Sequence, residues 1–306
     1  MPAFQPSPKR KKRVSGVLVF LLAFLLFIVV FGGICLWAVY RINRERTAAA
    51  SSLSSAVATT AAYLPEDARS LLIALTDEEQ PKAFIVLRSD PANTRMRTLA
   101  LPQETEMEFG TEQLPLSELY RKHGIRETEE TISKMFGLSF DNYAVLSYDG
   151  LKSMINYLEN GVVFTITENL KYNSEEYSID MKGGVRTLTA DQVLDVLRYP
   201  NWSSGSAIVH AQMIAALVNQ YVTEYRSQRL EEDFKKFSNL CSMSDLYMQN
   251  YRAAADGLQF LAMRNKEASI CSATQIAGKY VVSSNAVRFI PDDDAAQKLR
   301  SVFTNQ

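Results

Sequence analysis

Short apolar runs alternate with amphipathic stretches along most of the chain. Apolar or β-branched runs predict five strands: Ser70–Leu75, Ala83–Arg88, Met96–Leu101, Tyr143–Tyr148 and Val162–Thr167. Helical spacing predicts helices at about 126–136 and 149–159, a long helix from Gly205 to about Glu232, and a last helix after Pro291. Strands interleaved with helices over about 240 residues predict one α/β domain, in which helices cover a mixed central sheet.

One uninterrupted apolar segment sets the N-terminal region apart. No charged residue occurs from Val14 to Tyr40, and a helix of that length would rise about 40 Å, more than the roughly 30 Å hydrocarbon core of a bilayer. The basic cluster Lys9–Arg13 precedes it, so the positive-inside rule places the N-terminus in the cytoplasm. A cleaved signal peptide is disfavoured because its apolar region would span only about 7–15 residues.

This segment predicts the organisation of the whole chain. We expect residues 1–13 to be a cytoplasmic basic tail, 14–40 an uncleaved signal anchor in the cell membrane, and 41–65 a stalk rich in small residues. Residues 66–306 then form a domain outside the cytoplasm. The predicted topology is therefore that of a single-pass membrane protein.

Charge divides the chain in the same way. The net charge of the 306 residues is −1, but residues 1–46 hold eight basic residues and one acid, so this head carries +7 and the rest carries −8. An acidic body offers no general surface for nucleic acid, so we expect no nucleic-acid partner. Two histidines and three cysteines are too few for a structural zinc cluster of the His/Cys type.

Two cysteines fall in the predicted extracytoplasmic domain. Cys241 and Cys271 would face an environment in which a disulfide is allowed. In the chain-entropy model, closing this loop of roughly 30 residues would stabilise the fold by about 3–4 kcal/mol. Spacing alone does not establish proximity, so two separate buried thiols are an equal alternative.

A succession of segments carries a stronger signal than any single motif. The segments are LLIALTDEEQPKAFIVLRSDPANTRMRTLALPQET (Leu71–Thr105), ETISKMFGLSFDNYAVLSYDGLKSMINYLENGV (Glu130–Val162), GGVRTLTADQVLDVLRYP (Gly183–Pro200), FSNLCSMSDL and VRFIPDDDAAQKL. In order and spacing they resemble the LytR-CpsA-Psr domain. The resemblance covers essentially all of 66–306, and the single N-terminal anchor usual in that family is matched as well.

The resemblance implies a function at the cell envelope. Family members attach glycopolymers such as teichoic acids or capsule to peptidoglycan outside the cytoplasm, mainly in Gram-positive bacteria. They bind a polyprenyl-(pyro)phosphate lipid in an apolar pocket, where arginines and aspartates hold the pyrophosphate and Mg²⁺. Arginine forks match phosphate oxygens and carboxylates match a hard cation. The implied partners are the membrane, a polyprenyl-phosphate-linked glycopolymer and peptidoglycan, and the implied cofactor is Mg²⁺.

The chain departs from the family pattern at its charged motifs. Residues 79–82, Glu-Gln-Pro-Lys, stand where the family has Arg-x-Asp-Thr, and residues 102–105, Pro-Gln-Glu-Thr, replace Pro-Arg-Asp-Thr. Arg198 matches the first arginine of an Arg-x-Arg pair, whereas Pro200 occupies the second position. Arg198 and Lys82 are therefore the pyrophosphate candidates and Glu104 is the metal candidate, while no catalytic residue is assigned.

Three functions are compatible with these departures. Because losing one preorganised donor can cost about 2.7–4 kcal/mol of barrier, a domain that binds a lipid-linked glycan or an envelope partner with weak or absent catalysis is favoured. The first alternative is an active transferase with Arg198 on the pyrophosphate and Glu104 on the metal. The second is an anchored structural or interaction domain without lipid binding. The sequence leaves open whether the chain is an enzyme.

Overall fold

In the computed structural model, a six-stranded sheet runs through the centre of the domain in the order β11-β6-β1-β2-β3-β12. The structure describes residues 63–304, except 160, 176, 266–268 and 284–285. The predicted tail (1–13), anchor (14–40) and nearly all of the stalk (41–65) lie outside the described residues. Within the described part, no helix is both long and apolar enough to cross a bilayer.

Strands and short helices alternate along the chain. The strands are β1 Arg69–Asp77, β2 Gln80–Asp90, β3 Arg95–Leu101, β4 Glu106–Phe109, β5 Glu112–Pro115, β6 Asn142–Ser147, β7 Val162–Ile166, β8 Leu170–Asn173, β9 Ser178–Met181, β10 Gly184–Leu188, β11 Cys241–Ser244, β12 Cys271–Thr274, β13 Gly278–Ser283 and β14 Ala286–Pro291. The α-helices are α1 Leu116–Phe136, α2 Tyr148–Leu158, α3 Ala190–Arg198, α4 Ser206–Tyr221, α5 Leu230–Leu240, α6 Met248–Arg264 and α7 Ala295–Phe303. Short 3₁₀ helices span Pro65–Asp67, Pro91–Asn93 and Glu224–Arg229.

The central sheet is mixed, as predicted. Strands β1, β2 and β3 form an antiparallel meander, β6 runs parallel to β1 and β12 runs parallel to β3. Strand β11 pairs antiparallel with β6 at the other edge. Because β1, β3 and β6 run in one direction, their carboxyl ends meet at the same edge of the sheet, where side chains that follow them come together.

Helices bury both faces of the sheet. Ile73 and Leu75 face one core, which is completed by α2, α3, α4 and α6. Leu72 and Ala74, which alternate with them along β1, face a second core under α1 and α7. Burial on both sides explains why β1 reads as a continuous apolar run instead of an alternating one.

The predicted elements are mostly confirmed. All five predicted strands are present as β1, β2, β3, β6 and β7. The helix predicted at 126–136 is the second part of α1, which is kinked at Gly124 with φ of 80°. Tyr148 begins α2 and does not end β6, because the Ser147 hydroxyl accepts a hydrogen bond from the Gly150 amide and caps the helix.

The long helix predicted from Gly205 to Glu232 is wrong in its extent. Helix α4 ends at Tyr221, and a 3₁₀ helix intervenes before α5. The Asn265 side-chain amide donates to the carbonyls of Asn219 at 2.8 Å and Val222 at 2.7 Å. These bonds satisfy carbonyls that a continuing helix would have used, so a residue distant in sequence ends α4.

Of the two alternatives for Cys241 and Cys271, the disulfide is not formed and the separate thiols are confirmed. Both cysteines are free thiols, and they lie in β11 and β12, which are the opposite edges of the sheet. Five strand spacings of about 4.8 Å separate those edges. Burial raises the pKa of each thiol to about 12, so both are protonated at neutral pH.

Candidate functional site

A cluster of polar side chains lies at the carboxyl ends of β1 and β6. Asp77 is the last residue of β1, and Tyr148 directly follows β6 as the first residue of α2. Arg198 is the last residue of α3, and His210 lies in α4. One carboxylate, one guanidinium, one phenol and one imidazole therefore lie close to the carboxyl ends of the parallel strands.

Arg198 and Asp77 form a bidentate ion pair. Nε of Arg198 donates to Oδ2 of Asp77 at 3.0 Å and Nη2 donates to Oδ1 at 2.9 Å. The hydrogen bonds to Asp77 raise the pKa of Arg198. The Arg198 guanidinium carbon also lies 5.4 Å from the centre of the Tyr148 ring, within the range of a cation–π interaction. Both partners are only partly exposed, so the two parallel hydrogen bonds, here called the Arg198–Asp77 fork, hold the guanidinium plane in a fixed orientation.

Tyr148 and His210 continue the cluster into the core. The Nδ1 of His210 lies 2.7 Å from the Ser206 carbonyl oxygen, which only accepts, so Nδ1 carries the proton. The Nε2 of the neutral ring then accepts from the Tyr148 hydroxyl at 3.1 Å. Burial lowers the pKa of His210 and raises that of Tyr148. Both side chains are therefore neutral at pH 7, and the Nε2 lone pair of His210 is occupied by the Tyr148 hydroxyl.

Two further polar groups flank Arg198. The Tyr177 hydroxyl is buried and has no hydrogen-bond partner among the described residues, and burial raises its pKa to about 12. Burial also raises the pKa of Asp195, against the opposing charge of Arg198. Tyr177 thus keeps its proton and offers an unused neutral donor near the ion pair.

The turn beside the ion pair is acidic and has an unusual backbone. Glu78 and Glu79 follow Asp77 and both have positive φ, 47° and 66°, a conformation that favours glycine or asparagine. Lys82 is the extra residue of a β-bulge, because Thr76 pairs with Pro81 while Leu75 pairs with Ala83. Three consecutive carboxylates, Asp77, Glu78 and Glu79, therefore lie in or beside the turn that holds the partner of Arg198.

The structure places the three predicted ligand residues at the same sheet edge but does not connect them. Lys82 is exposed and, within the described chain, makes no hydrogen bond or ion pair. Glu104 follows β3, accepts a hydrogen bond from the Gln103 amide at 2.9 Å, and accepts at its backbone carbonyl from the Phe289 amide. No described hydrogen bond or ion pair joins either residue to Arg198.

The described part of the chain contains no cluster of acids that would hold Mg²⁺ without a substrate. No group of three or more His, Cys, Asp or Glu side chains within the described residues is arranged to hold a metal ion. The Glu104 carboxylate accepts a hydrogen bond from the Gln103 side-chain amide. Mg²⁺ is usually bound by carboxylates together with substrate phosphates, so binding of Mg²⁺ at Glu104 stays a prediction.

Sequence reasoning missed Asp77, Tyr148 and His210 as members of the site. Asp77 stands at the end of a buried strand, and a carboxylate in that position is a signal for a site at a sheet edge. His210 belongs to no motif in the sequence, and the structure buries it, with only 3% of its surface exposed. Its contact with Tyr148 spans 62 residues of sequence, so no local motif indicates it.

The buried histidine makes stability depend on pH. Above about pH 6.5 His210 is neutral in both states, but below it the unfolded chain binds a proton that the folded protein excludes. The free energy of unfolding should therefore fall with decreasing pH, by up to about 1.4 kcal/mol per unit more in the wild type than in His210→Gln. Urea unfolding at pH 5.5 and 7.5 measures this difference.

The second histidine provides the matched control. His123 is exposed, so His123→Gln controls for a histidine substitution outside the core. Equal slopes in wild type and His210→Gln would contradict the assignment of a neutral, desolvated imidazole at residue 210.

Comparison with protein families gives a match over most of the chain. The model of the LytR_cpsA_psr family matches residues 43–299. TagV of Bacillus subtilis (strain 168), a polyisoprenyl-teichoic acid–peptidoglycan teichoic acid transferase, is 30% identical over 78 residues. That alignment spans 24% of this chain and only 20% of TagV.

Solved structures share the fold over a larger range. The crystal structure of TagV from B. subtilis superposes with a TM-score of 0.64 at 20% identity, covering 77% of this chain and 95% of that one. A proposed transcription regulator from Eubacterium siraeum DSM 15702 gives 0.70 at 17% identity, covering 79% and 93%. TagT with bound octaprenyl pyrophosphate lipid gives 0.57 at 14% identity, covering 79% and 92%. At these identities the likeness shows a common fold.

Proposed function

The chain belongs to the LytR-CpsA-Psr family, whose model matches residues 43–299, and from that premise we propose that it is a cell-envelope protein of the glycopolymer-attachment system. Its domain binds a polyprenyl-phosphate-linked glycan, with weak or absent catalysis. The partners in this proposal are the membrane, the lipid-linked glycopolymer and peptidoglycan.

The observation that carries this proposal is the Arg198–Asp77 fork at the edge of the sheet. Arg198 uses Nε and one Nη2 hydrogen on Asp77, which leaves both Nη1 hydrogens and the second Nη2 hydrogen for phosphate oxygens. The buried Tyr177 hydroxyl adds a neutral donor nearby. The relative TagT is described with octaprenyl pyrophosphate lipid bound, which supports a lipid pyrophosphate as the ligand here.

The charge balance of the site supports binding over catalysis. Asp77 neutralises Arg198, and Glu78 and Glu79 add negative charge at the same turn. A pyrophosphate would meet an arginine that is already paired with a carboxylate, whereas transfer chemistry needs cations that stabilise the charge of the leaving group. The Nε2 lone pair of His210 accepts from the Tyr148 hydroxyl, so this imidazole is not free to take a proton from a substrate.

An active transferase is the second candidate, and the local match to TagV favours it. In that case Arg198 holds the pyrophosphate, and Glu104 together with the substrate phosphates holds Mg²⁺. Lys82, as a compact point charge, would add to phosphate binding without forming a fork.

The proposal includes the membrane topology. The uncharged segment at 14–40 and the basic cluster before it support a single-pass anchor with the N-terminus in the cytoplasm. The domain then lies outside the cytoplasm, where a lipid-linked glycan in the outer leaflet is accessible.

Binding of octaprenyl pyrophosphate to the full chain in detergent tests the ligand assignment. Replacing Arg198 with alanine removes a charged donor from the phosphate and should weaken binding by about tenfold to a hundredfold. Arg186→Ala is the matched control, because Arg186 is exposed in β10 and bonds only the Lys182 carbonyl among the described residues. Titrations followed by native mass spectrometry measure both affinities.

Each outcome selects one of the three functions. Unchanged affinity in Arg198→Ala would remove the phosphate role of this arginine, and absence of lipid binding would leave a structural or interaction domain. The third outcome is that the wild type transfers a lipid-linked glycan to peptidoglycan in the presence of Mg²⁺ and that Arg198→Ala abolishes the transfer. That result would contradict the proposal of weak or absent catalysis and would assign an active transferase.

A further inference from the structure

The β13–β14 hairpin exposes three large apolar side chains on one face. Val282 pairs with Val287 and Tyr280 pairs with Phe289, and cross-strand partners share a face of the sheet with residues two positions away on the same strand. Val282 is 73% exposed, Tyr280 is 49% exposed and Val287 is 48% exposed, whereas Phe289 is buried. We call Tyr280, Val282 and Val287 the hairpin patch.

The hairpin patch extends beyond the core that holds the hairpin in place. Phe289 belongs to the core under α1 and α7, and the Tyr280 ring packs against it with 5.1 Å between the ring centres. Val282 and Val287 belong to neither core of the described chain. No charged residue occurs from Tyr280 to Val287. Contiguous exposed apolar side chains commonly mark a contact with a membrane, a ligand or another protein.

The hairpin is attached to the edge of the central sheet at which the candidate site lies. The Phe289 amide donates to the Glu104 carbonyl at 2.9 Å, and Phe289 forms a parallel bridge with Thr105. Both acceptor residues follow the carboxyl end of β3, the edge that also holds the Arg198–Asp77 fork. Val287 is two residues from Phe289, about 7 Å along the strand. The patch and the candidate site therefore lie at the same edge.

Cations accompany the hairpin patch. Lys279 and Arg288 lie on the opposite face of the hairpin, one residue from members of the patch, and neither forms an ion pair within the described part of the chain. The hydrogen bond from Lys122, together with the charges of Arg121 and Arg288, lowers the pKa of Glu118 in α1. One carboxylate therefore has three cations near it, and the surface beside the hairpin is positive.

The carboxylates of this region lie towards the base of the hairpin. Burial and then the charge of Glu104 raise the pKa of Tyr280, so Glu104 is near the inner end of the patch. Asp292–Asp294 follow β14, and about 17 Å of strand separates Asp292 from Val287. Apolar side chains with cations beside them and acids set back are the pattern of a segment that binds an anionic lipid surface.

The chain before the domain is long enough to let this edge reach a bilayer. The described residues begin at Tyr63, whose hydroxyl donates to the Asp256 carbonyl, and β1 then runs about 30 Å to the edge that holds the site. Residues 41–62, between the predicted anchor and Tyr63, can span up to about 70 Å. The predicted anchor therefore leaves the domain free to turn this edge to the membrane.

We propose that the hairpin patch binds the surface of an anionic phospholipid bilayer. Val282 and Val287 enter the boundary between headgroups and acyl chains, Tyr280 lies at the level of the headgroups, and Lys279 and Arg288 contact lipid phosphates. The inference rests on the proposed function, because it brings the candidate site to the membrane that supplies the lipid-linked glycan.

Tryptophan fluorescence of the full chain in nanodiscs tests the proposal. The discs contain phosphatidylcholine and phosphatidylglycerol, with or without bromine on the acyl chains, and wild type supplies the background of Trp37 and Trp202. Above this background, brominated lipid should quench Val282→Trp about twofold or more strongly than Val185→Trp. Val185, in β10, is the matched control because it is 72% exposed.

A second variant tests the contribution of charge. Lys279→Gln/Arg288→Gln, introduced together with Val282→Trp, removes the two cations and keeps the apolar patch. The added quenching should then fall to the value that Val282→Trp alone gives in discs of phosphatidylcholine only. Quenching that stays at the anionic value would overturn the assignment of these cations to lipid phosphates.

The outcomes separate this inference from the proposed function. Equal quenching of Val282→Trp and Val185→Trp would overturn the membrane contact, even if the wild type binds octaprenyl pyrophosphate in detergent. Selective quenching without binding of octaprenyl pyrophosphate would support the membrane contact and contradict the proposed function. If Val282→Trp is not quenched and its emission in detergent shifts with protein concentration, a second copy of the chain covers the patch, and the proposal is wrong.

Discussion

Replacing Tyr148 with alanine should lower the free energy of unfolding by about 3–5 kcal/mol, the range for removal of a fully buried aromatic ring. The Tyr148 side chain is 2% exposed and packs in the core beneath α3 and α4. Its ring also supports the Arg198 guanidinium, and its hydroxyl bonds His210. One substitution therefore removes a core side chain and disconnects the candidate site from the core.

Two further variants separate these contributions. Tyr148→Phe keeps the ring but leaves the buried Nε2 of His210 without a donor, which should cost about 1–3 kcal/mol. Tyr225→Ala removes a tyrosine that is 77% exposed and should change stability by no more than about 0.5 kcal/mol. Urea unfolding of the three variants, followed by fluorescence, gives the three free energies.

The order of these values tests the packing of the site. If Tyr148→Ala and Tyr148→Phe lost equal stability, the ring would contribute nothing beyond its hydroxyl, contrary to its burial. Tyr148→Phe should also leave lipid binding nearly unchanged, because the ring below Arg198 is retained, whereas Tyr148→Ala should weaken it.

The central strands could be predicted because both faces of the sheet are buried. Strands β1, β2, β3, β6 and β7 each contain an apolar run that is visible without tertiary information. The extent of α4 could not be predicted, because Asn265 ends it from 43 residues away. Strand order is equally hidden, which is why Cys241 and Cys271 were proposed as partners although β11 and β12 are opposite edges.

Of the candidate site, the sequence predicted only the residue that matches a family motif, which is Arg198. Arg198 stood out through the family resemblance, but its partner Asp77 is 121 residues distant and lies in an acidic run that resembles a solvated turn. Glu104 and Lys82 followed from motif positions, and the structure gives neither a described contact with Arg198.

Breaking the Arg226–Asp233 ion pair should cause the second large loss of folding stability. Nε and Nη2 of Arg226 donate to the two oxygens of Asp233 at 3.0 and 2.5 Å, and the side chains are 9% and 12% exposed. The Arg226 guanidinium carbon lies 5.8 Å from the centre of the Tyr157 ring at the end of α2. The pair thus joins α5 to the helix that begins at the candidate site. Asp233→Ala leaves a buried guanidinium uncompensated and should cost about 3–5 kcal/mol.

A double variant distinguishes the cost of breaking the pair from its net contribution. In Arg226→Met/Asp233→Leu no buried charge is left, so stability should return to within about 1–2 kcal/mol of the wild type or exceed it. Glu231→Ala is the control: its ion pair with Lys235 is about half exposed on both sides, so breaking it should change the free energy of unfolding little. If Asp233→Ala lost no more than Glu231→Ala in urea unfolding, Arg226 would have to be solvated, and α5 would be held to α2 by apolar packing alone.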